Sequence, residues 1–354
     1  AAPLWQKLFE IVHIDFAHRP FKWISESDYL AAVHCVVIGF SHAPNKIQKI
    51  IFDDDRMIEA KNINAYLLDA PNVFIGSRTK PLCKVPAMRN GSIPIDGDAL
   101  KIEADELDDF IRREPRAKKF IRRLIGGREL IHNEARYVLW LVEATAEEIA
   151  SMPLVAARVE AVRQFRLSST RKATIKAAEF SHLFAERYPP TSNYIAVPRV
   201  SSDRRKYIPI GFFDGETIAT NQVLIIPEAT VYHFGVLTSI VHMAWMRVVC
   251  GRLEVDYRYS AKIVYNNFPW CPPTAAQRRK IRRTAQRILD ARALYPDRSL
   301  ASLYDPNEMP DELRAAHRDN DWAVLDAYGF ERSLSEDAIV SRLMEMYPEL
   351  AARS

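Results

Sequence analysis

The sequence predicts an α+β fold: mixed α/β at the start, strands and helices interspersed in the middle, and helices at the end. Three observations carry this. Residues 13–23 alternate and residues 31–40 (AAVHCVVIGF) form a short, almost continuous apolar run, both of them strand patterns. In the middle, helical patterns at residues 104–113, 153–166 and 171–187 are interleaved with strand patterns at 136–142, 194–200, 206–213 and 222–226. From residue 274 onward, amphipathic sequence of helical period dominates.

Each element follows from its residues. Leu4, Leu8 and Ile11 share one stripe, predicting a helix over residues 4–12. The apolar run 31–40, bounded by Asp28 and Ser41, predicts a buried central strand, joined to 13–23 through the polar stretch 24–28 as a hairpin at the edge of a larger sheet. Residues 46–60 predict a second hairpin, with Asp53, Asp54 and Asp55 at its turn. Residues 62–98 are rich in Pro, Asn and Gly and form a long irregular connection. Pro153 suits the first turn of a helix whose apolar face carries Val155, Val159, Val162 and Phe165. Residues 232–250 read as one long, mostly apolar helix stopped by Gly251. A strongly basic amphipathic helix spans 274–294, and a final one spans 311–328 before Gly329.

At 354 residues the chain has room for two or three domains and a substantial core. A hydrophobic content of 48% with 27% charged residues is that of a globular protein, and a net charge of +4 does not by itself imply nucleic acid. Cys35, Cys83, Cys250 and Cys271 lie far apart with no CxxC pair, which argues against a zinc site or a disulfide framework and for reduced thiols in a cytoplasmic setting. No apolar run is long enough for a bilayer, so no membrane partner is expected. The opening AAPLWQKLFEIVHIDF lacks a basic segment followed by an apolar one, and fits a polypeptide that starts inside a larger protein.

The charge distribution is more telling than its sum. Basic clusters occur around Arg122 and Arg123, around Arg163, Arg166, Arg171 and Lys172, at Arg204, Arg205 and Lys206, and around Arg282 and Arg283. Affinity for DNA comes largely from neutralised phosphates, so such clusters can serve it, although a solvated helix face has the same composition. The segment VSSDRRKYIPIGF differs. It sets Asp203 beside Arg204, Arg205 and Lys206 between two strands, where Arg can pair with guanine and a carboxylate can accept from cytosine. A charged hairpin tip is the alternative.

Several chemistries lack their residues. Neither Gly126-Gly127 nor the glycines at 91 and 97 have the spacing of a phosphate or dinucleotide loop. The Pro-Pro pairs follow Tyr188 and Cys271, so no Asn/Asp-Pro-Pro-aromatic motif for adenine methylation is present. Asp53 to Asp55 followed by Glu59 and Lys61 mimics an Mg²⁺-nuclease pattern, against the alternative of an ordinary acidic turn. No histidine pair has metal-ligand spacing.

An ordered series of segments resembles the MmeI-like family, which fuses a type II restriction nuclease to a DNA adenine methyltransferase. The series runs FAHRPFKW (16–23), AAVHCVVIGF, NINAYLLDAPNVFIGSRTKPLC (62–83), VSSDRRKYIPIGF, LTSIVHMAWMRVVCGRLEVDYRYS, VYNNFPW and ARALYPDRSLASLYDPNEMP (291–310). Cys271 and Ala65 depart from the family's usual residues at local turns. The resemblance implies a C-terminal portion in three parts. Residues 1–45 would be the last strands of a Rossmann-like methyltransferase sheet, 46–270 a mixed α+β target-recognition domain, and 271–354 a helical domain. It further implies a bacterial, cytoplasmic protein that binds double-stranded DNA, whose full-length form methylates adenine N6 from S-adenosylmethionine and cuts DNA with Mg²⁺. No catalytic, metal or cofactor residue would lie in this portion. Phe21 and Trp23 match the place of the aromatic that stacks on a flipped adenine. The family's base-reading segments match Arg171, Lys172 and Asp203 to Lys206. Arg122, Arg123, Arg163, Arg166, Arg282 and Arg283 would hold phosphates.

Overall fold

A computed structural model describes residues 2–23, 33–42 and 47–353. The side chains of Lys22, Trp23, Val33 and His34, and the connection 24–32, lie outside the described residues.

The chain opens with the helix Ala2–Leu8 and the strand His13–Trp23, which pairs antiparallel with Val33–Ser41. On its other side His13–Trp23 pairs parallel with Lys49–Asp53, which turns at Asp54 and Asp55 into Arg56–Ala60. Asp54 takes a left-handed φ of 51°, as the acidic turn expected there requires. Ile14, Ala17 and Ile51 are buried on one face against Ile63 and Leu67. The strand Val33–Ser41 is not the buried central strand that its composition predicts. It is the outer strand of this four-stranded sheet, and Val36, Val37 and Phe40 are 48%, 45% and 54% exposed. An apolar run signals that a strand can be covered on both faces, and the described residues supply no such cover. Gly39 is needed here because a Cβ would lie 2.1 Å from the Phe16 ring.

Three further sheets follow. Gly211–Phe213, Tyr194–Pro198, Val223–Pro227 and Arg89–Asn90 form an antiparallel sheet whose central strands are buried except at Pro227. Ile218–Ala219 runs parallel to Ile121–Ile125, which continues antiparallel to Arg136–Leu139 and on to Lys101–Glu103. A small sheet joins Val200–Ser201, Asp256–Arg258 and Gly251–Leu253. The strand expected over 206–213 is confined to Gly211–Phe213, because Tyr207, Ile208 and Ile210 are buried in irregular backbone. The helix expected over 171–187 is only Lys172–Lys176 and a 3-10 turn Ala177–Phe180.

The apolar segment 232–250 is two helices, Val231–Leu237 and Ile240–Val249, broken at Thr238 and Ser239. They pack against Ala275–Ala293, Asp311–Tyr328 and Glu336–Ala352; the helix at 311–328 is therefore not the final one expected, because Glu336–Ala352 follows it. One hydrophobic core runs through all of them, with Trp245, Phe268, Ile281, Leu313, Leu325 and Leu343 each at most 3% exposed. The Tyr-Asn-Asn-Phe-Pro-Trp run is a clamp on the irregular connection. Asn266 Nδ2 donates to Arg78 O at 2.9 Å, Asn267 Nδ2 to Gly76 O at 2.9 Å, and Tyr265 OH to Pro86 O at 2.6 Å. Tyr347 OH donates to Asn267 Oδ1 at 2.7 Å, tying the last helix to the same loop. Buried amides must find partners, so a dense Asn and aromatic run here is a packing device. Among the described residues, no helix is long and apolar enough to cross a membrane.

Candidate functional site

The short strand Val200–Ser201 leaves the buried strand Tyr194–Pro198 and pairs with Asp256–Arg258, Val200 opposite Arg258 and Ser201 opposite Tyr257. The backbone then turns back on Ser202, whose carbonyl accepts from Arg205 N at 3.3 Å and whose Oγ accepts from Arg204 N at 3.3 Å. At the far end Tyr207 drops into the core at 3% exposure. Its hydroxyl donates to Asp321 Oδ2 at 2.7 Å and its ring stacks on His317 at 4.1 Å. A loop of charged residues is thus pinned by a strand pair on one side and a buried tyrosine on the other. Anchoring of this kind lowers the entropy a loop loses on binding.

Within the loop, Asp203, Arg204 and Lys206 are exposed and Arg205 is half-buried. Asp203 bonds to no described side chain. Arg204 reaches Asp305 at 4.0 Å. Burial pulls the Arg205 pKa down, with Asp256 and Asp305 opposing. Lys206 Nζ lies 5.4 Å from the Tyr207 ring centre, and its carbonyl accepts from Arg247.

The floor beneath the loop is a buried polar network. Asp321 Oδ1 accepts from Ile240 N at 2.7 Å and so caps the helix Ile240–Val249 from another element. Burial pushes the Asp321 carboxyl up to about 6. Tyr304 OH and His317 Nε2 are 2.7 Å apart, and Arg292 donates to Tyr304 OH at 2.9 Å and to Ile210 O at 2.7 Å. Burial holds the His317 imidazole well below its usual range. Above this floor a cavity of about 440 Å³ is lined by Arg204, Lys206, Arg314 and Arg318 with Tyr207 and Tyr304. Arg314 and Arg318 are cations that the sequence reading missed. Their only signal is an i, i+4 arginine pair on a helix otherwise rich in acids.

The other expected contacts are spread over the molecule. Arg171 and Lys172 are exposed where the helix Lys172–Lys176 begins, and among the described residues no hydrogen bond or ion pair joins them to the loop 202–206. Arg122 pairs with Glu216 at 3.1 Å and donates to Lys119 O, whereas Arg123 is exposed. Arg163 is exposed and reaches Glu160 at 3.2 Å. Arg282 and Arg283 project from the basic helix opposite buried Ile281, Ala285 and Ile288. On that helix Lys280 and Arg287 are taken up by Asp326 and Asp319, each at 2.7 Å.

Arg166 requires a correction. It is 1% exposed and cannot meet a phosphate. Its guanidinium donates to five carbonyls, those of Pro94, Ile95, Ala177, Phe180 and Leu183, at 2.7–3.1 Å. It is an internal brace that ties its own helix, Pro153–Leu167, to residues 94–95 and 177–183.

In the first sheet, Phe21 is half-buried and meets His18 edge-on at 6.4 Å, and His18 stacks on Phe52 at 4.3 Å. The side chain of Trp23 lies outside the described residues. Asp53 is engaged by Arg19 and Arg56, and no group of three His, Cys, Asp or Glu side chains among the described residues could hold a metal ion.

Residues 69–272 match the family described as MmeI, target recognition domain, residues 273–353 match MmeI, C-terminal domain, and residues 1–53 match MmeI, DNA-methyltransferase domain. A Bacillus subtilis (strain 168) protein, DNA methyltransferase A, is 37% identical over 351 residues, which is 99% of this chain and 40% of the relative. A solved structure of the type IIL restriction-modification enzyme MmeI in complex with DNA superposes with a TM-score of 0.89 at 42% identity. That match covers 99% of this chain and 48% of the solved one, so the chain spans less than half of either relative. Matched in order by three regions of one architecture, this chain belongs to the MmeI family of restriction-modification proteins.

Proposed function

We propose that the chain is the sequence-reading part of a restriction-modification protein and binds double-stranded DNA. The observation that carries this is the loop 202–206. Asp203, Arg204 and Lys206 are exposed on an anchored turn with Arg205 half-buried beside them, and Asp203 is left without a partner among the described residues. Arg pairs bidentately with guanine and Asp accepts from the cytosine amino group, so such a tip can tell a C·G pair from the others. Arg171 and Lys172 would read further bases. Arg122, Arg123, Arg163, Arg282 and Arg283 would hold phosphates, joined by Arg314 and Arg318.

In the full-length protein this reading serves adenine N6 methylation from S-adenosylmethionine, with Mg²⁺-dependent cleavage, in the cytoplasm of a bacterium. The described part of residues 1–53 consists of a helix and strands without a glycine-rich turn, and its acids form no metal cluster, so these residues fit neither group. Phe21 and Trp23 stand as the candidates for stacking on an extruded adenine.

The test is selection of binding sites from random duplex DNA with the purified chain. A short asymmetric motif is expected, and Asp203→Ala or Arg205→Ala should change one position of it at a cost of about 1–3 kcal/mol for the preferred base. No enrichment above background overturns the proposal.

A further inference from the structure

Beside the loop 202–206 lies a second concavity of about 450 Å³. It is framed by the helix Gly127–His132, the turn at Asn221 and Gln222, and the hairpin carrying Leu253 and Arg258. We infer that this cleft is a second base-reading surface, specific for purine edges, in which Asn221, Gln222 and Arg258 contact the bases and Arg199 positions them. The inference rests on the proposed DNA recognition and extends it to residues outside the charged loop.

The turn is rigid. Thr220 N donates to Ile125 O at 2.8 Å, Asn221 N to Ser92 O at 2.9 Å, and Val223 N to Thr220 O at 3.1 Å. Arg199 locks it from the neighbouring strand, its Nε donating to Asn221 O at 2.5 Å and its amide N to Gln222 O at 3.2 Å. The hairpin is brought against the same strand by Tyr259 N, which donates to Arg199 O at 2.8 Å. Backbones held this closely place the side chains they carry within a narrow range, as recognition of a base edge requires.

The exposed groups are left with hydrogen-bonding capacity. Gln222 Oε1 accepts from Gly127 N at 3.4 Å, which occupies the carbonyl end of that amide and leaves its NH₂ for another acceptor. The Asn221 side chain bonds to no described residue. Arg258 is exposed, pairs with no carboxylate among the described residues, and lies close enough to Arg199 to help lower that group's pKa, after burial. Arg199 also donates to Asn90 Oδ1, but neither guanidinium has a carboxylate partner among the described residues, and two such cations favour an acceptor-rich ligand.

The Asn221 amide, with both of its ends free of described partners, decides which ligand. A phosphate only accepts, so cations alone would serve it, and a carboxamide that both donates and accepts would be half unused. Adenine presents N7 as acceptor and N6 as donor, the pair that Asn or Gln matches, and guanine presents the two acceptors that Arg matches. Arg258 is opposite Val200, three residues before Asp203, which is at most about 11 Å of chain. Adding about 5 Å across the strand pair gives about 16 Å, and at 3.4 Å per step along a strand the base pair read here lies within about five steps of the one read by Asp203.

The experiment repeats the site selection with Arg258→Ala, Asn221→Ala and Asn221→Asp, all at exposed positions, after thermal melting has shown wild-type folding. Arg258→Ala and Asn221→Ala should each erase preference at one base pair within about five steps of the Asp203-dependent position. Affinity for the preferred site should fall about tenfold or more, while affinity for unrelated DNA is unchanged. Asn221→Asp should move the preference toward cytosine. An unaltered motif in all three, or an equal loss for every sequence as a phosphate contact would give, overturns the inference while leaving the Asp203 loop in place. Failure of the unsubstituted chain to select any motif overturns the underlying reading, and this one with it.

Discussion

Replacing Arg166 separates architecture from binding. Arg166→Met keeps an unbranched side chain of similar length but removes every donor, stripping the carbonyls of Ile95, Ala177 and Leu183 of that bond, while Pro94 O keeps Ala185 N and Phe180 O keeps Leu183 N. A buried acceptor stripped of its bond costs about 1 kcal/mol. Relief of the guanidinium's own burial, which already pulls its pKa down, offsets part of the total, so a net loss of about 2–3 kcal/mol is expected. At about 2–4 °C per kcal/mol the melting temperature should fall on the order of 10 °C. DNA affinity measured against salt, at a temperature where the variant stays folded, should keep its slope. Arg282→Ala with Arg283→Ala should do the reverse, with unchanged melting and a salt slope shallower by about 1.8. An Arg166→Met protein that melts like the wild type and loses about 0.9 from the salt slope would refute the assignment of Arg166 to the interior.

Asp321→Asn tests the floor under the loop. The folded carboxyl is raised from 3.8 to about 6, so its contribution is fully present below pH 4 and is lost as pH rises through 6, a change of about 3 kcal/mol. Asparagine lacks this titration but can still accept from Ile240 N. The urea midpoint of the variant should therefore gain on the wild type between pH 4 and 7.5, with the buried His242 and His317 cancelling in the difference; parallel profiles would exclude it. Gly235→Ala sets a Cβ 2.8 Å from both Ala285 and Ile281, and should cost about 1–3 kcal/mol in urea unfolding as two helices are forced apart. Wild-type stability would show that this helix pair has slack.

Where the pattern was periodic and local, sequence and structure agree. The alternation over His13–Trp23 and the helix Asp311–Tyr328, closed by Gly329 at a φ of 68°, have the bounds their residues imply. The break at Thr238 was hidden because residues 232–250 are apolar on every side, and the group that caps the second helix is Asp321, remote in sequence. Arg166 was misread for a different reason. At 100° per residue it lies about 20° from Val155 on the helical wheel, inside the stripe of Val159 and Val162, whereas Phe165 falls about 80° to the side and is 47% exposed. An arginine centred on an apolar stripe signals a brace. The charged tip 203–206 was legible from composition between strands. The cavity that pairs it with Arg314 and Arg318 depends on packing between segments a hundred residues apart and had no local trace.

Trp245 and Phe268 share one interior with Ile281, Leu325 and Leu343, so the seam at residues 272 and 273 between the two matched regions exists in sequence only. A protease cutting there would leave two halves still clasped together. For the same reason, a lineage that trades this portion with a cousin must hand on the final helices along with the charged loop, or inherit a greasy scar on both.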